Sequence, residues 1–425
     1  MRKTRNNIFE GIDWILILLF VALVFFGWIN IYAASSTEET RAVFDYSARY
    51  GKQLIFIALA IPIIVLILFF DSKFYENFAS IFYVISLLVL AGVLVFGKKI
   101  NGATSWYSFG GIGLQPSEFA KAFTALALAK LMSDRKYNLK LIKNQLKAFI
   151  IILIPAFLIA LQPDMGSVLI YLAFFFVMNR EGLTVSYFVL GAIALTLFLA
   201  TIYAGVTWVL SICLLLITSY VIYGAYKNKR FLRFNIAAII STYVVSTAFI
   251  IGIGYAYNNI LEQHQRDRFD ILLGKIEDKK GVGYNIYQSE LTISSGGLTG
   301  KGFLEGDRTQ GDFVPEQDTD YIFSTVSEEW GFVGSAGVII LFMVLLYRII
   351  YLSELQRNKF GRIYGYGVAS IIFFHVLINI GMVIGILPTI GIPLPFFSYG
   401  GSSLWGFTVL LFIFIRLDAH KKYEW

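Results

Sequence analysis

Charge is scarce in this chain, and reactive sulfur and imidazole are scarcer. Of 425 residues only 15% are Asp, Glu, Lys or Arg while 57% are hydrophobic, so the average stretch is too apolar for a surface that meets water. The one cysteine, Cys213, lies inside an apolar run, which excludes an internal disulfide and a thiolate metal cluster. Three histidines, His264, His375 and His420, stand far apart and argue against a histidine metal site. No internal repeat, low-complexity tract or separate soluble domain is evident.

What is present is hydrophobic length. A helix needs about 20 mostly apolar residues to cross the hydrocarbon layer. About twelve segments approach it: 14–34, 54–70, 78–96, 117–132, 148–161, 167–178, 186–203, 206–223, 234–257, 330–347, 364–387 and 404–415. The fifth, sixth and twelfth are short and are expected to tilt or to extend into flanking polar residues. The first follows Arg2, Lys3 and Arg5, but it is too long for a signal peptide and lacks an evident cleavage site, so it is expected to stay in the mature protein. The fold class expected is an all-α polytopic membrane domain covering 1–425.

Basic residues follow the even-numbered segments. Arg135, Lys136, Lys140, Lys143 and Lys147 follow the fourth; Lys227, Lys229, Arg230 and Arg233 the eighth; Arg348, Arg357, Lys359 and Arg362 the tenth; Lys421 and Lys422 the twelfth. Because short Lys- and Arg-rich loops stay inside, both termini are expected to be cytoplasmic, and the net charge of +7 reflects topology, not nucleic-acid binding. Polar segments 35–53, 97–116 and 258–329 then lie outside. The last is the longest, and Tyr284, Ile286, Phe303 and Phe313 among others give it apolar surface to bury, so short helices packed on the membrane domain are expected there.

Within that loop Gly296, Gly297, Gly300 and Gly302 permit tight turns and close backbone approach to a ligand, with Lys301 as a cation among them; an ordinary glycine-rich connection explains them equally well. Glu316, Asp318 and Asp320 crowd together farther on, with Glu328 and Glu329 beyond. Clustered carboxylates beside a membrane can have the raised pKa that suits a general base. The structural alternative, at least as well supported by local chemistry, is that Thr319 or Asp320 caps the next helix and the glutamates favour its dipole.

In 97–123, Trp106 and Tyr107 suit an interfacial aromatic belt or stacking on a sugar ring. Pro116, Ser117 and Glu118 read as a helix start, with Lys121 one turn on; a charge pair at a membrane entrance is costly unless used or satisfied. Asp164 in QPDMGS reads as a helix cap, and His375 and Asn379, one turn apart, as interhelical hydrogen-bonding groups. The final outer turn, 392–406, contains Ser398 and is compatible with a cavity wall or a rigid reversal.

Taken together, NGATSWYSF, LQPSEFAK, QPDMGS, GYNIYQS, SSGGLTGKGF, FVPEQDTDYIFS and PFFSYGGSS resemble, in order and across nearly the whole chain, the SEDS family of bacterial cell-shape and division proteins. The GFLEGDRTQ and FVPE context resembles its elongation branch. The resemblance implies a peptidoglycan glycosyltransferase of the bacterial plasma membrane that polymerises lipid II, partnered by a class B penicillin-binding protein transpeptidase and other elongation-complex membrane proteins. It implies ten membrane helices, so a hairpin within 186–223 would be an insertion. It places the family's proposed catalytic aspartate at Asp320, its motif tryptophan at Trp106 and its motif glutamate at Glu118. Ser105 stands where the family commonly has Arg, Asp318 where it has His and Tyr321 where it has Phe.

On that reading Asp320 is a general base toward the 4-hydroxyl of an acceptor sugar. Arg266, Arg268, Lys301, Arg308 and Lys121 are the candidates to offset a departing pyrophosphate, with a divalent cation (Mg or Mn) as another, and Trp106, Glu118, Glu316 and Ser398 complete the expected substrate-binding set. Glu118 and Lys121 are expected at the entrance of the groove. Two other classes of function compete. A lipid II flippase would need charges along a path through the bilayer, and a scaffold would only activate its transpeptidase.

Overall fold

A computed structural model describes residues 11–36, 44–100, 103–109, 112–228, 231–261, 263–276, 281 and 283–420. Arg2, Lys3, Arg5, Lys229, Arg230, Lys421 and Lys422 lie outside the described residues.

Contacts divide the chain into two compact units, one of Met1–Leu183 with Asn285–Trp425 and one of Thr184–Tyr284. The first holds α1 (Trp14–Ser35), α2 (Arg49–Phe69), α3 (Ser72–Phe96), strands β1 (Lys98–Ile100), β2 (Ala103–Phe109) and β3 (Ile112–Leu114), then α4 (Pro116–Ser133), α5 (Ile142–Ala160), α6 (Met165–Ile170) and α7 (Ala173–Arg180). The second holds α8 (Ser186–Ala204), α9 (Val206–Lys227), α10 (Phe231–Asn259) and α11 (Gln263–Leu272). The first unit resumes with α12 (Tyr284–Ser295), α13 (Asp307–Gln310), α14 (Ile322–Glu354), α15 (Lys359–Val383) and α16 (Gly401–His420).

Among the described residues ten helices are long and apolar enough to cross a membrane: α1, α2, α3, α5, α8, α9, α10, α14, α15 and α16. The remaining two expected segments take other forms. The fourth is α4, whose Glu118, Lys121 and Lys130 make it too charged to count by composition, and the sixth is the short pair α6 and α7 within Met165–Arg180. The fifth and twelfth do lengthen into polar flanks, to 19 and 20 residues. The expected hairpin at 186–223 forms as α8 and α9, turning on Gly205 at φ 86°.

Solvation by lipid explains the distribution of apolar side chains. Leu59, Leu66, Leu88 and Leu153 of the first unit and Leu190, Trp208, Leu215 and Val244 of the second face outward, where hydrocarbon would receive them at no cost. Buried instead are α4, α15 and α16, packed against one another at the centre of the first unit. Small residues such as Ala120, Ala125, Gly365 and Gly406 allow the close approach, as expected where packing and not water drives association.

One element departs from an all-α reading. Between α3 and α4 the described residues form a three-stranded antiparallel sheet in the order β1-β2-β3, with Lys98 opposite Trp106 and Tyr107 opposite Leu114. ATSWYSF is rich in residues that favour a pleated, half-buried surface, a signal overshadowed by the long apolar runs on either side.

Candidate active site

Asp320 sits in the last turn before α14. It does not cap that helix: the cap position is Tyr321, which makes no side-chain capping bond, and Thr319 Oγ1 instead donates back to Glu316 O at 3.2 Å and to its carboxylate at 3.1 Å. The turn closes on Glu316, whose carbonyl accepts from Thr319 N and Tyr321 N. Glu316 itself has φ 56°, a left-handed conformation that non-glycine residues adopt at a cost.

Three other groups gather around this turn. Arg49, at the start of α2, donates from Nη1 to Asp318 Oδ1 at 2.6 Å and reaches Glu316 Oε2 at 3.5 Å. Asp318 is 3% exposed, whereas Arg49 is half-exposed. Burial pushes the Asp318 carboxyl above its ordinary range, and the Arg49 charge pulls it back. Tyr399 N donates to Asp318 O at 2.9 Å and so ties the turn to the loop before α16.

Asp320 keeps part of its surface open to solvent, but the bulk of its surroundings is protein. Burial first, then the negative charges of Glu316, Asp318 and Asp164, push its pKa up to about 7. A carboxyl poised there can hold or release a proton near neutral pH, as a general base must. Gly391, at φ 76°, forms one wall: a Cβ there would stand 3.2 Å from Asp320 Oδ2. Asp164 caps α6 as expected, accepting from Ser167 N at 3.1 Å, and also accepts from Gln115 Nε2 at 2.8 Å.

Trp106 is half-buried on β2, its ring against Gly113 of β3, where a Cβ would come within 3.0 Å. Glu118 and Lys121 do not stand at an entrance. They are 4% and 1% exposed, because α3, α15 and α16 enclose α4. Lys121 Nζ lies 2.9 Å from Glu118 Oε1 and 2.8 Å from His375 Nε2, and His375 Nδ1 faces Pro393 O at 3.2 Å. A ring nitrogen facing a carbonyl carries the proton, so Nε2 is left to accept from the ammonium. His375 therefore bonds to Lys121 between helices, as expected, whereas Asn379 does not: its Nδ2 reaches Asp320 O in the turn before α14 and Ile392 O in the loop before α16, both at 2.7 Å, because carbonyls outside helices are the ones left in need of a donor. Ser398 is buried and accepts from Leu394 N at 2.8 Å, the rigid-reversal role. Arg266 and Arg268 lie on α11 in the second compact unit.

Lys301 and Arg308 serve a different centre. Glu328, 0% exposed, accepts from Lys301 Nζ at 2.8 Å, Arg308 N at 3.1 Å, Ser295 Oγ at 3.2 Å, Thr309 N at 2.8 Å and Thr309 Oγ1 at 2.7 Å. Arg308 spends its guanidinium on Thr292 Oγ1 and Gln288 Oε1. The glycines approach backbone, and the backbone is the chain's own. α14 is broken at Gly331 (φ 64°, ψ −160°), and the glycine loop fills the break. Lys301 N and Gly302 N donate to the carbonyls of Glu328 and Glu329, while Phe332 N and Val333 N donate to Gly297 O and Leu298 O. Two carbonyls at the end of one segment and two N–H groups at the start of the next are thereby paired. A Cβ at Gly300 would lie 2.1 Å from Glu329 O and one at Gly296 1.9 Å from Ser327 O.

Arg49 is the residue that reading the sequence missed. The available signal was a cation in the first turn of an apolar span, where a charge is costly unless it is paired or used. Among the described residues no three His, Cys, Asp or Glu side chains are grouped to hold a metal ion, so the expected divalent cation is assigned no protein ligands.

The FtsW/RodA/SpoVE family model, described as cell cycle protein, matches residues 13–236 and 234–423. The chain is 31% identical over 412 residues to the peptidoglycan glycosyltransferase MrdB of Escherichia coli K12, covering 97% of this chain and 94% of that one. It is 30% identical over 429 residues to the peptidoglycan glycosyltransferase RodA of Treponema pallidum, covering 96% and 98%. A solved chain from work on the structural coordination of polymerization and crosslinking by a peptidoglycan synthase complex superposes with TM-score 0.71 at 27% identity, covering 97% of this chain and 98% of that one. With sequence matched from end to end and the helical fold shared, this chain belongs to the FtsW/RodA/SpoVE family.

Proposed function

We propose that this protein is a peptidoglycan glycosyltransferase that polymerises lipid II during cell elongation, with Asp320 as general base. The observation that carries the proposal is the state of Asp320: a carboxyl excused from helix capping, flanked by acids and brought to about pH 7. Names of full-length relatives supply the reaction class. In the reaction, Asp320 takes the proton of the acceptor's 4-hydroxyl as that oxygen bonds to the donor's anomeric carbon. The bond from that carbon to the lipid pyrophosphate breaks, and the pyrophosphate leaves with the electron pair. A base contributes about 10²- to 10⁴-fold, and positioning and charge stabilisation supply the rest.

Of the cations in the first unit, Lys121 is sealed inside and Lys301 and Arg308 are engaged with Glu328 and its neighbours. Arg49, half-exposed beside the turn, is the candidate to meet the departing phosphates. A transpeptidase that crosslinks the product fits the synthase complex to which the solved relative belongs. The protein lies in the bacterial plasma membrane, with both termini inside and the Asp320 turn outside, as the basic loops support.

A flippase is the second reading, favoured by the buried Glu118, Lys121 and His375 cluster, since charged groups inside a membrane domain are a hallmark of transport paths. Purified protein with its transpeptidase and labelled lipid II separates the readings. Asp320→Ala is expected to lower glycan polymerisation by about 10²- to 10⁴-fold while lipid II exchange across liposomes is unchanged. Polymer formation at the wild-type rate would sink the base assignment, and loss of exchange in the variant would favour transport.

A further inference from the structure

The carboxyl oxygens of Asp320 receive no hydrogen bond from any described residue, so something other than a direct contact must decide where they lie. The turn carrying the residue is bonded on each side, through Glu316 O before it and Ser324 N to Tyr321 O after it. The carbonyl oxygen of Asp320 accepts from one side chain, Asn379 Nδ2, at 2.7 Å.

Asn379 is 0% exposed on α15, and its second amide hydrogen goes to Ile392 O, also at 2.7 Å. With two carbonyls in front of it the amide has one orientation; turned over, Oδ1 would face two oxygens. Ile392 follows Gly391, the residue at which a Cβ would stand 3.2 Å from Asp320 Oδ2. One side chain thus joins three separate pieces of the fold: the helix α15, the carboxyl-bearing turn before α14, and the loop that walls the carboxyl. One turn earlier His375 holds the next carbonyl of the same loop, Pro393 O, at 3.2 Å.

We infer that Asn379 is a positioning residue for this reaction, setting the distance between the Asp320 carboxyl and its wall by gripping both backbones at once. The inference rests on Asp320 being the base. Asn379 touches no substrate and exchanges no proton, so its loss acts on the chemical step and not on capture of lipid II. A misplacement of about 1 Å at a reacting group costs on the order of 10²-fold.

The test uses the full-length protein with its transpeptidase and labelled lipid II. Asn379→Leu keeps the branched shape and removes both donors; kcat is expected to fall on the order of 10²-fold with KM within about twofold. Asn379→Asp keeps the size and, when protonated, one donor, and is expected to fall between. The acid limb of the kcat profile should also move down from about 7 in the leucine variant, because a released carboxyl gains water. A merely structural role would lower thermal stability and yield without moving that limb. The inference is overturned if kcat in both variants stays within about twofold of wild type, or falls with the limb unmoved. If Asp320→Asn itself polymerises normally, the base assignment fails; if Asp320→Asn is inactive while Asn379→Leu is normal, only the role of Asn379 fails.

Discussion

At the scale of single residues, Asp320 draws its character from what it lacks. Among the described residues no cation is paired with its carboxyl, whereas Asp318, two residues earlier, has Arg49 at 2.6 Å. Two acids in one turn are thereby driven apart in role, one paired and one left to titrate. Only the ionised form of Asp320 can accept a proton, so polymerisation should rise with pH through about 7 and be about tenfold slower at pH 6 than on the plateau. Initial rates across roughly pH 5.5 to 8.5 check this, and a profile flat through neutrality would remove Asp320 as the base. Asp318→Asn deletes one of the charges that raise Asp320, so its midpoint should move to lower pH in the same assay.

Among the elements, α14 shows how a glycine-rich motif can serve a helix. Its two segments meet at Gly331, and the loop from Gly297 to Gly302 supplies two hydrogen bonds to each broken end. Beneath it Glu328 gathers donors from Ser295, Lys301, Arg308 and Thr309, so the segment preceding α14 is anchored on both sides of the break. Gly300→Ala places a methyl 2.1 Å from Glu329 O at φ 81° and is expected to destabilise the protein by about 3 kcal/mol or more, read as a fall in melting temperature in detergent. Gly337→Ala, on the same helix with open space around it, should leave the melting temperature nearly unchanged. Equal melting temperatures for the two variants would mean that the interlock contributes little.

For the whole molecule, the placing of basic residues sets which side of the membrane each loop faces. The carboxyl turn and its glycine loop belong outside if the basic loops mark the inside. Cys213 is the single cysteine, so a Cys213→Ala background is blank to thiol reagents. In it, Asp312→Cys, exposed in the long loop, should react with an impermeant maleimide on intact spheroplasts, whereas Lys136→Cys, exposed between α4 and α5, should react only after lysis. The reverse pattern would put the carboxyl on the wrong side for wall synthesis.

The amino-acid sequence alone determined that lipid is the solvent, that helices dominate, that Asp164 begins one of them and that Asp320 belongs to a shared motif. Hydropathy, capping and motif spacing are local properties, written within a few turns of chain. Tertiary structure alone decided which charges meet. Arg49 reaches Asp318 across 269 residues, and Lys121 reaches His375 across 254, distances over which no periodicity carries information. The same is true of the glycines, legible as sites of close approach but silent about what approaches. Pairing of buried polar groups is settled by packing, because only packing decides which donor is carried away from water together with which acceptor.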